Sequence, residues 1–273
     1  VLLLYYGTQS GYGRRLRSRA KRLLLGTESS FADFPFFAVF YLRYGREVPI
    51  CGATLISPRW LVTGAHCIVP YGTEANIKLR IGGADHLFDK IVAHPEYNGT
   101  LNEIALVRLR SPIILDDVMQ PVRLGRDEIE DEIPATVLGA GSFRTEGGPT
   151  ISRNLTLRVG HVRLVRLRSC WEQIRLLVNE SSSVIRNTLA ASFPKMTLCA
   201  AGTDTMGILG GDSGGPLFVQ RHGVSYLVGI AQMAVAGNKE RGYPDIFIRV
   251  AAFCGWLEDA TGGEARCEDI PDV

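Results

Sequence analysis

The sequence lacks any apolar run long enough to cross a membrane. A membrane-spanning helix needs roughly 18 or more consecutive apolar residues, and the apolar stretch at residues 1–6 is far shorter. We interpret that stretch as the remnant of a signal peptide whose start is missing, because the chain has no initiator Met. Charged residues are also few, at 21% against 46% apolar residues, which is a normal balance for a globular protein with a core.

The first 22 residues contain no acidic side chain. They hold six basic residues, and without them the chain has 24 basic and 28 acidic residues, a net charge of −4. The six are Arg14, Arg15, Arg17, Arg19, Lys21 and Arg22. Such a run is typical of a phosphate-binding segment, a heparin-binding segment or a nuclear signal. The preferred interpretation is a propeptide over residues 1–22, because Lys21-Arg22 is a dibasic cleavage site.

Metal-binding spacings are absent as well. The six cysteines form no Cys-x-x-Cys pair, and no paired histidine spacing accompanies them, so a zinc site remains an unsupported alternative and no metal or cofactor is expected. Six cysteines allow 15 connectivities. Together with three glycosylation sequons they favour an oxidising, secretory environment, hence a secreted, extracellular protein. The sequons begin at Asn98, Asn154 and Asn179.

One serine stands in a glycine-rich run that is suited to catalysis. Residues 211–215 read Gly-Asp-Ser-Gly-Gly, with Ser213 at the centre. Glycines allow a tight turn and a close approach to a ligand. They also leave the amides of Gly211 and Ser213 free to stabilise a developing oxyanion.

Two further motifs precede this run. Residues 60–67 read Trp-Leu-Val-Thr-Gly-Ala-His-Cys, and residues 102–106 read Asn-Glu-Ile-Ala-Leu. With these three blocks the chain resembles the trypsin/chymotrypsin family of serine proteases over roughly residues 23–260. The order of base, acid and serine is that of the family.

The resemblance implies an all-β fold of two antiparallel Greek-key β-barrels with a C-terminal helix and the active site between the barrels. The expected domain spans 23–262, with barrels at about 23–124 and 125–250, a helix at about 252–260 and a tail at 263–273. Short β-branched runs broken by Gly, Pro or Asp agree with this fold. These runs are 36–42, 53–56, 77–81, 104–109, 136–138, 159–164, 216–220, 226–230 and 246–250.

The resemblance also assigns catalytic roles. Ser213 is the nucleophile, His66 is the base, Glu103 is the acid that orients the imidazole, and the amides of Gly211 and Ser213 form the oxyanion hole. The remaining histidines are interpreted as surface or packing residues. They are His86, His94, His161 and His222.

The acid departs from the family pattern, which has aspartate where this chain has Glu103. Gln232 likewise replaces a serine whose hydroxyl, in relatives, donates to that carboxylate. A misplacement of about 1 Å can cost on the order of 100-fold in rate. The two longer side chains are therefore either mutual compensation, which we prefer, or drift in an inactive homologue that serves as a binding or regulatory module.

Activation and the disulfides follow from the same resemblance. Cleavage after Arg22 frees an N-terminus at Leu23 that pairs with Asp212, although Leu25 replaces a glycine of the family pattern. Asp212 is otherwise a turn residue that caps its own backbone. The family pairs Cys51 with Cys67 and Cys170 with Cys199, and this leaves Cys254 and Cys267.

The expected substrate pocket is altered. Gly207 stands where trypsin-like members carry an aspartate, while Asp245 replaces a glycine of the opposite wall. Asp245 either attracts Lys and Arg side chains or merely polarises or blocks the pocket, whose altered rim includes Gln232, Met233 and Ala234. The expected partners are protein or peptide substrates, protease inhibitors and an activating protease. Neither nucleic acid nor a membrane is expected as a partner of the matured chain, which is expected to be a monomer.

Overall fold

Strands dominate the part of the chain that the structure describes. A computed structural model describes residues 26–43, 48–99, 101–127, 133–140, 143–145, 148–150, 156–178, 195–202, 207–234 and 244–272. The first nine strands are β1 (Thr27–Ser29), β2 (Phe37–Leu42), β3 (Val48–Leu55), β4 (Trp60–Gly64), β5 (Ile77–Ile81), β6 (Ala84–His86), β7 (Phe88–Ala93), β8 (Ile104–Leu109) and β9 (Arg123–Gly125). The others are β10 (Pro134–Gly139), β11 (Phe143–Thr145), β12 (Gly148–Thr150), β13 (Leu157–Val165), β14 (Thr197–Gly202), β15 (Pro216–Arg221), β16 (Val224–Met233), β17 (Asp245–Arg249) and β18 (Cys267–Glu268).

Three α-helices lie among these strands in the described residues. They are α1 (Ala65–Ile68), α2 (Leu167–Val178) and α3 (Cys254–Thr261), with 3₁₀ turns at Phe31–Asp33 and Val250–Phe253. None of the described helices combines the length and the apolar character needed to cross a bilayer.

Most of the strands form two curved sheets, which confirms the expected fold class, while β11 and β12 pair with each other in a separate two-stranded sheet. The first is a curled half-barrel in the order β6-β5-β2-β3-β4-β8-β7. In the second, the order β15-β10-β13-β14-β17-β16 is closed by the pairing of β15 with β16, which makes a six-stranded barrel. All pairings inside these two units are antiparallel; β9 joins β16, and β18 joins β9, in parallel.

Both sheets turn apolar side chains inward. Strand β5 shows the alternation expected of a half-buried strand, with Ile77, Leu79 and Ile81 buried and the residues between them partly exposed. Strand β4 is buried along its whole length and shows no alternation. This explains why its short apolar run is harder to recognise as a strand from sequence.

An aromatic cluster joins the two halves of the molecule. The ring of Phe36, which precedes β2, meets the ring of Phe218 on β15 edge to face, at 5.6 Å between centroids. Phe34 contacts the same ring at 5.9 Å. Aromatic pairs of this geometry contribute about 0.5–1.5 kcal/mol beyond their buried area. They hold the half-barrel against the barrel close to where the candidate catalytic segments meet.

The C-terminal helix begins later than the sequence predicts. Residues 250–253 form a 3₁₀ turn, and the α-helix starts at Cys254 instead of residue 252. Gly262 ends the helix in a left-handed conformation, with φ of 66°. The helix therefore ends at Thr261, one residue after the predicted end at about 260.

Three disulfides stabilise the fold. They join Cys51 to Cys67, Cys170 to Cys199 and Cys254 to Cys267. The first two pairs are those that the family resemblance implies, and the third joins the two remaining cysteines. The third closes a segment with a sequence separation of 13 that contains helix α3 and ties β18 to its start.

Removing the Cys254–Cys267 bond is expected to lower stability without changing the fold. Replacing both residues by serine should reduce the free energy of unfolding by about 3 kcal/mol, because a closed loop of this length restricts the unfolded chain by roughly that amount. Urea unfolding of the double variant measures the loss, and an unchanged midpoint would contradict it.

Candidate active site

The histidine and the acid come together because strands β4 and β8 are paired. Gly64, the last residue of β4, pairs with Ile104, the first residue of β8. His66 follows two residues after Gly64, in helix α1, and Glu103 immediately precedes β8. The disulfide between Cys67 and Cys51 holds this helix against β3.

The backbone at Glu103 is held by its neighbours. Asn102 adopts a positive φ of 51°, a conformation that asparagine tolerates better than most residues. The amide of Ile104 donates to the carbonyl of Asn102 at 2.8 Å, and the amide of Ala65 donates to the carbonyl of Glu103 at 3.2 Å. These contacts direct the Glu103 side chain towards helix α1.

One carboxylate oxygen of Glu103 binds His66 twice. Oε1 accepts a hydrogen bond from the His66 backbone amide at 2.6 Å and from the ring Nδ1 at 2.8 Å. An ionised carboxylate can only accept, so a neutral imidazole paired with it carries its proton on Nδ1 and leaves a lone pair on Nε2. Glu103 is only 5% exposed, whereas the His66 side chain is 40% exposed. The longer acid therefore reaches the imidazole and orients it.

The other carboxylate oxygen is buried and has no hydrogen-bond partner among the described residues. The amide of Gln232, which is partly buried, does not donate to it. No hydrogen bond thus supports compensation between Glu103 and Gln232. Burial raises the pKa of Tyr97, and the nearby carboxylate of Glu103 raises it further.

Ser213 lies on a tight turn that leads into β15 of the six-stranded barrel. The Asp212 amide donates to the carbonyl of Leu209 at 3.0 Å, and the Gly215 amide donates to the carbonyl of Asp212 at 3.0 Å. The carbonyl of Ser213 accepts from the amide of Gly52 on β3 at 2.7 Å. This bond links the serine directly to the half-barrel that holds the histidine.

The glycine after the serine lets the two halves approach. Gly214 has φ of 78°, and a Cβ there would overlap Oγ1 of Thr63 and the carbonyl oxygen of Gly52. The Thr63 hydroxyl donates to that same carbonyl at 2.8 Å. Thr63 lies in the histidine motif, but no role was predicted for it from the sequence.

The serine and histidine are not hydrogen-bonded to each other within the described residues. His66 Nε2 lies 3.6 Å from Sγ of Cys67. Catalytic hydrogen bonds are often long before substrate binds and shorten in the complex. The amides of Gly211 and Ser213 donate to no described residue.

Asp212 is buried at the base of this turn. It is 2% exposed, and its Oδ2 accepts from the amide of Leu209 at 2.9 Å. A Cβ on Gly139 would overlap Oδ1, so the carboxylate packs directly on that backbone. The bond to the Leu209 amide is a turn-capping contact, the alternative role that the sequence suggested for Asp212. The two activation residues, Arg22 and Leu23, lie outside the described residues.

Asp245 is buried against the segment that begins at Gly207. It is 2% exposed, and its Oδ2 accepts from the amide of Ile208 at 2.7 Å, next to the buried Gly207. At the rim, Met233 is 44% exposed and Ala234 is partly buried. The Asp245 carboxylate therefore has a structural hydrogen bond to this segment.

The remaining site predictions fall on the surface or outside the described residues. Asn98 is exposed and accepts from the amide of Leu101 at 2.9 Å, whereas Asn154 and Asn179 are outside the described residues. His94 packs against Trp256 at 5.1 Å between ring centroids, and burial lowers the pKa of this histidine.

One cluster of metal-ligating atoms lies at the site. It consists of Cys51, His66 and Cys67, whose ligand atoms lie within 4.8 Å of one another. Both sulfur atoms belong to the disulfide, so they offer no thiolate to a metal.

The chain is similar to known proteins over most of its length. A family model described as Trypsin matches residues 24–257. The chain is 28% identical over 248 residues to "Trypsin" from Phaedon cochleariae, covering 86% of this chain and 87% of the relative. It is 27% identical to "Brachyurin" from Leptuca pugilator, covering 87% and 97%, and 27% identical to "Chymotrypsin-like elastase family member 3B" from Homo sapiens, covering 94% and 95%.

The close approach at Gly214 is testable with a matched glycine. Gly223 has nearly the same φ, 79°, but no atom lies within 4 Å of a Cβ built there. Gly223→Ala is expected to cost about 1–2 kcal/mol for the left-handed conformation. Gly214→Ala adds a steric overlap worth about 1–3 kcal/mol. Equal losses in urea unfolding would show that the two halves do not depend on this contact.

Proposed function

The chain belongs to the trypsin family of serine proteases, and on that premise we propose that it is a secreted serine endopeptidase made as a zymogen. Cleavage after Arg22 activates it, and the matured enzyme hydrolyses peptide bonds through an acyl-enzyme. The observation that carries this proposal is the double hydrogen bond from His66 to Oε1 of Glu103. It leaves Nε2 free to act as the base.

Each residue then has a chemical task. Nε2 of His66 removes the proton of the Ser213 hydroxyl as the oxygen attacks the scissile carbonyl, and later returns it to the leaving amine. Glu103 keeps the ring in the required tautomer and stabilises the imidazolium that forms. The amides of Gly211 and Ser213 stabilise the negative oxygen of the tetrahedral intermediate. Water then hydrolyses the acyl-enzyme.

The position of β1 supports activation by a new N-terminus. Glu28 on β1 pairs with Arg158 on β13, which pairs with Gly139 on β10, and the Gly139 backbone contacts Asp212. Two strand spacings amount to about 10 Å. Three residues, the separation of Leu23 from Gly26, also span up to about 10 Å when extended. A freed ammonium at Leu23 would therefore be within reach of the buried carboxylate, and the pairing would offset the cost of burying that charge.

Arg158 holds the start of this segment. Its guanidinium donates to the carbonyl of Gly26 and, at 2.7 Å, to the carboxylate of Glu28. The Arg158 side chain is only 19% exposed. These contacts hold Gly26 and Glu28, and the freed terminus at Leu23 would lie three residues before Gly26.

A fluorophosphonate probe tests the nucleophile and its activation. The chain cleaved after Arg22 is expected to be labelled at Ser213. Ser213→Ala should remove all labelling. Arg22→Gln, which blocks cleavage, should lower the labelling rate about tenfold or more because no new ammonium is freed to pair with Asp212. Mass spectrometry locates the label. A folded, cleaved chain that is not labelled would favour the inactive homologue instead.

We also propose that Asp245 gives the pocket a preference for Lys and Arg at the cleaved position. Its buried charge lies beside Gly207, where a cationic side chain would be partly removed from water. Opposite charges attract more strongly in such surroundings than in bulk water.

Charge and shape at Asp245 are separable. Asp245→Asn keeps the size of the side chain and removes the charge, whereas Asp245→Gly removes both. Each variant is expected to lower the ratio of kcat/KM for basic over apolar substrates by about tenfold or more in a peptide library. A preference that survives Asp245→Asn would reduce this residue to a wall contact.

A further inference from the structure

The residue that makes room for the longer acid is Gly64. Its backbone has φ of −73° and ψ of 141°, ordinary extended values that any residue adopts. A positive φ therefore does not explain glycine here. Glycine in a strand is disfavoured because it loses more conformational freedom on folding than other residues.

The space beside Gly64 is filled by the catalytic pair. A Cβ built on Gly64 would lie 3.2 Å from Oε2 of Glu103 and 3.2 Å from both Cε1 and Nδ1 of His66. Carbon atoms pack best at about 3.5–4.0 Å, so an alanine there presses on both partners at once. Oε2 is the buried oxygen with no described partner, and no hydrogen bond to a described residue holds it in place.

Glu103 is confined by burial, whereas hydrogen bonds to Glu103 restrict His66, whose side chain is 40% exposed. Glu103 is 5% exposed, its Oε1 is held by both donors of His66, and its carbonyl accepts from the amide of Ala65. Rotation of the carboxylate away from a new methyl group would lengthen at least one bond to His66. Rotation of the imidazole would break the bond at Nδ1.

We propose that Gly64 is a positioning residue for the His66–Glu103 pair: the missing Cβ provides the volume that the additional methylene of glutamate requires. This inference rests on the proposed function for its consequence in catalysis, but its steric content stands on the geometry alone. Glu103 and Gly64 then form one functional unit. A shorter acid would remove the need for a glycine.

A double-mutant cycle tests this coupling. Gly64→Ala is expected to lower kcat about tenfold with KM within about twofold, because a displaced acid acts on the transition state and not on substrate binding. In the Glu103→Asp background the same substitution should change kcat by less than about threefold. Equal losses in the two backgrounds, or no loss with glutamate present, would overturn the proposal.

Gly255→Ala is the matched control. Gly255 lies in helix α3, and no atom lies within 4 Å of a Cβ built there. Both alanine variants restrict the unfolded chain in the same way. Only Gly64→Ala adds a close contact with the catalytic pair, so only that variant should lower kcat. If Gly64→Ala alone does not fold, the combination with Glu103→Asp is expected to fold, and failure of both would overturn the proposal.

A spectroscopic readout separates this proposal from the proposed function. The His66 Nδ1 proton, assigned by its loss in His66→Ala, should give a downfield proton resonance because it is shared with a carboxylate. Gly64→Ala is expected to move it upfield and Gly255→Ala to leave it in place. An unmoved resonance overturns the steric proposal even in an active enzyme, whereas a shift in a chain without turnover supports it while the proposed function fails.

Discussion

The two hydrogen bonds that Oε1 of Glu103 accepts from His66 decide what the rest of the site can do. Both donors belong to the same residue, so a single oxygen fixes the position of helix α1 and the rotation of the ring it carries. Pairing of β4 with β8 supplies the acid, and the disulfide at Cys67 restrains the helix. The arrangement leaves Oε2 buried, and this places a steric demand on Gly64.

The serine reaches the site from the other half of the molecule. Its position is determined by contacts across the interface, namely the bond from the Gly52 amide to its carbonyl and the close approach of Gly214. The aromatic packing of Phe36 on Phe218 holds the same interface. Ser213, the proposed nucleophile, and His66, its proposed base, are thus positioned by separate sheets. Their relative geometry depends on how tightly those sheets pack.

Local sequence signals predicted much of this architecture. The predicted strands overlap observed ones, since β-branched runs bounded by turn residues are informative where one face is buried, as in β5. Several strands were not predicted, among them β4, β7 and β14. Strand β4 is buried throughout, and its motif was interpreted for its chemistry alone. The C-terminal α-helix starts two residues after the predicted start at about 252, since the 3₁₀ turn before Cys254 carries no distinct sequence signal.

The order of three motifs along the chain was sufficient to identify the family and to single out His66, Glu103 and Ser213, because those residue types in that order are specific. Whether the lengthened acid reaches the imidazole was decided only by tertiary structure. That distance depends on strand register and on atoms missing from a neighbour, Gly64, which lies far from Glu103 in the chain. The bond between Asp245 and Ile208 is likewise a contact between distant segments. Motif spacing specifies residue types along the backbone, whereas folding determines which of their atoms come within hydrogen-bonding distance.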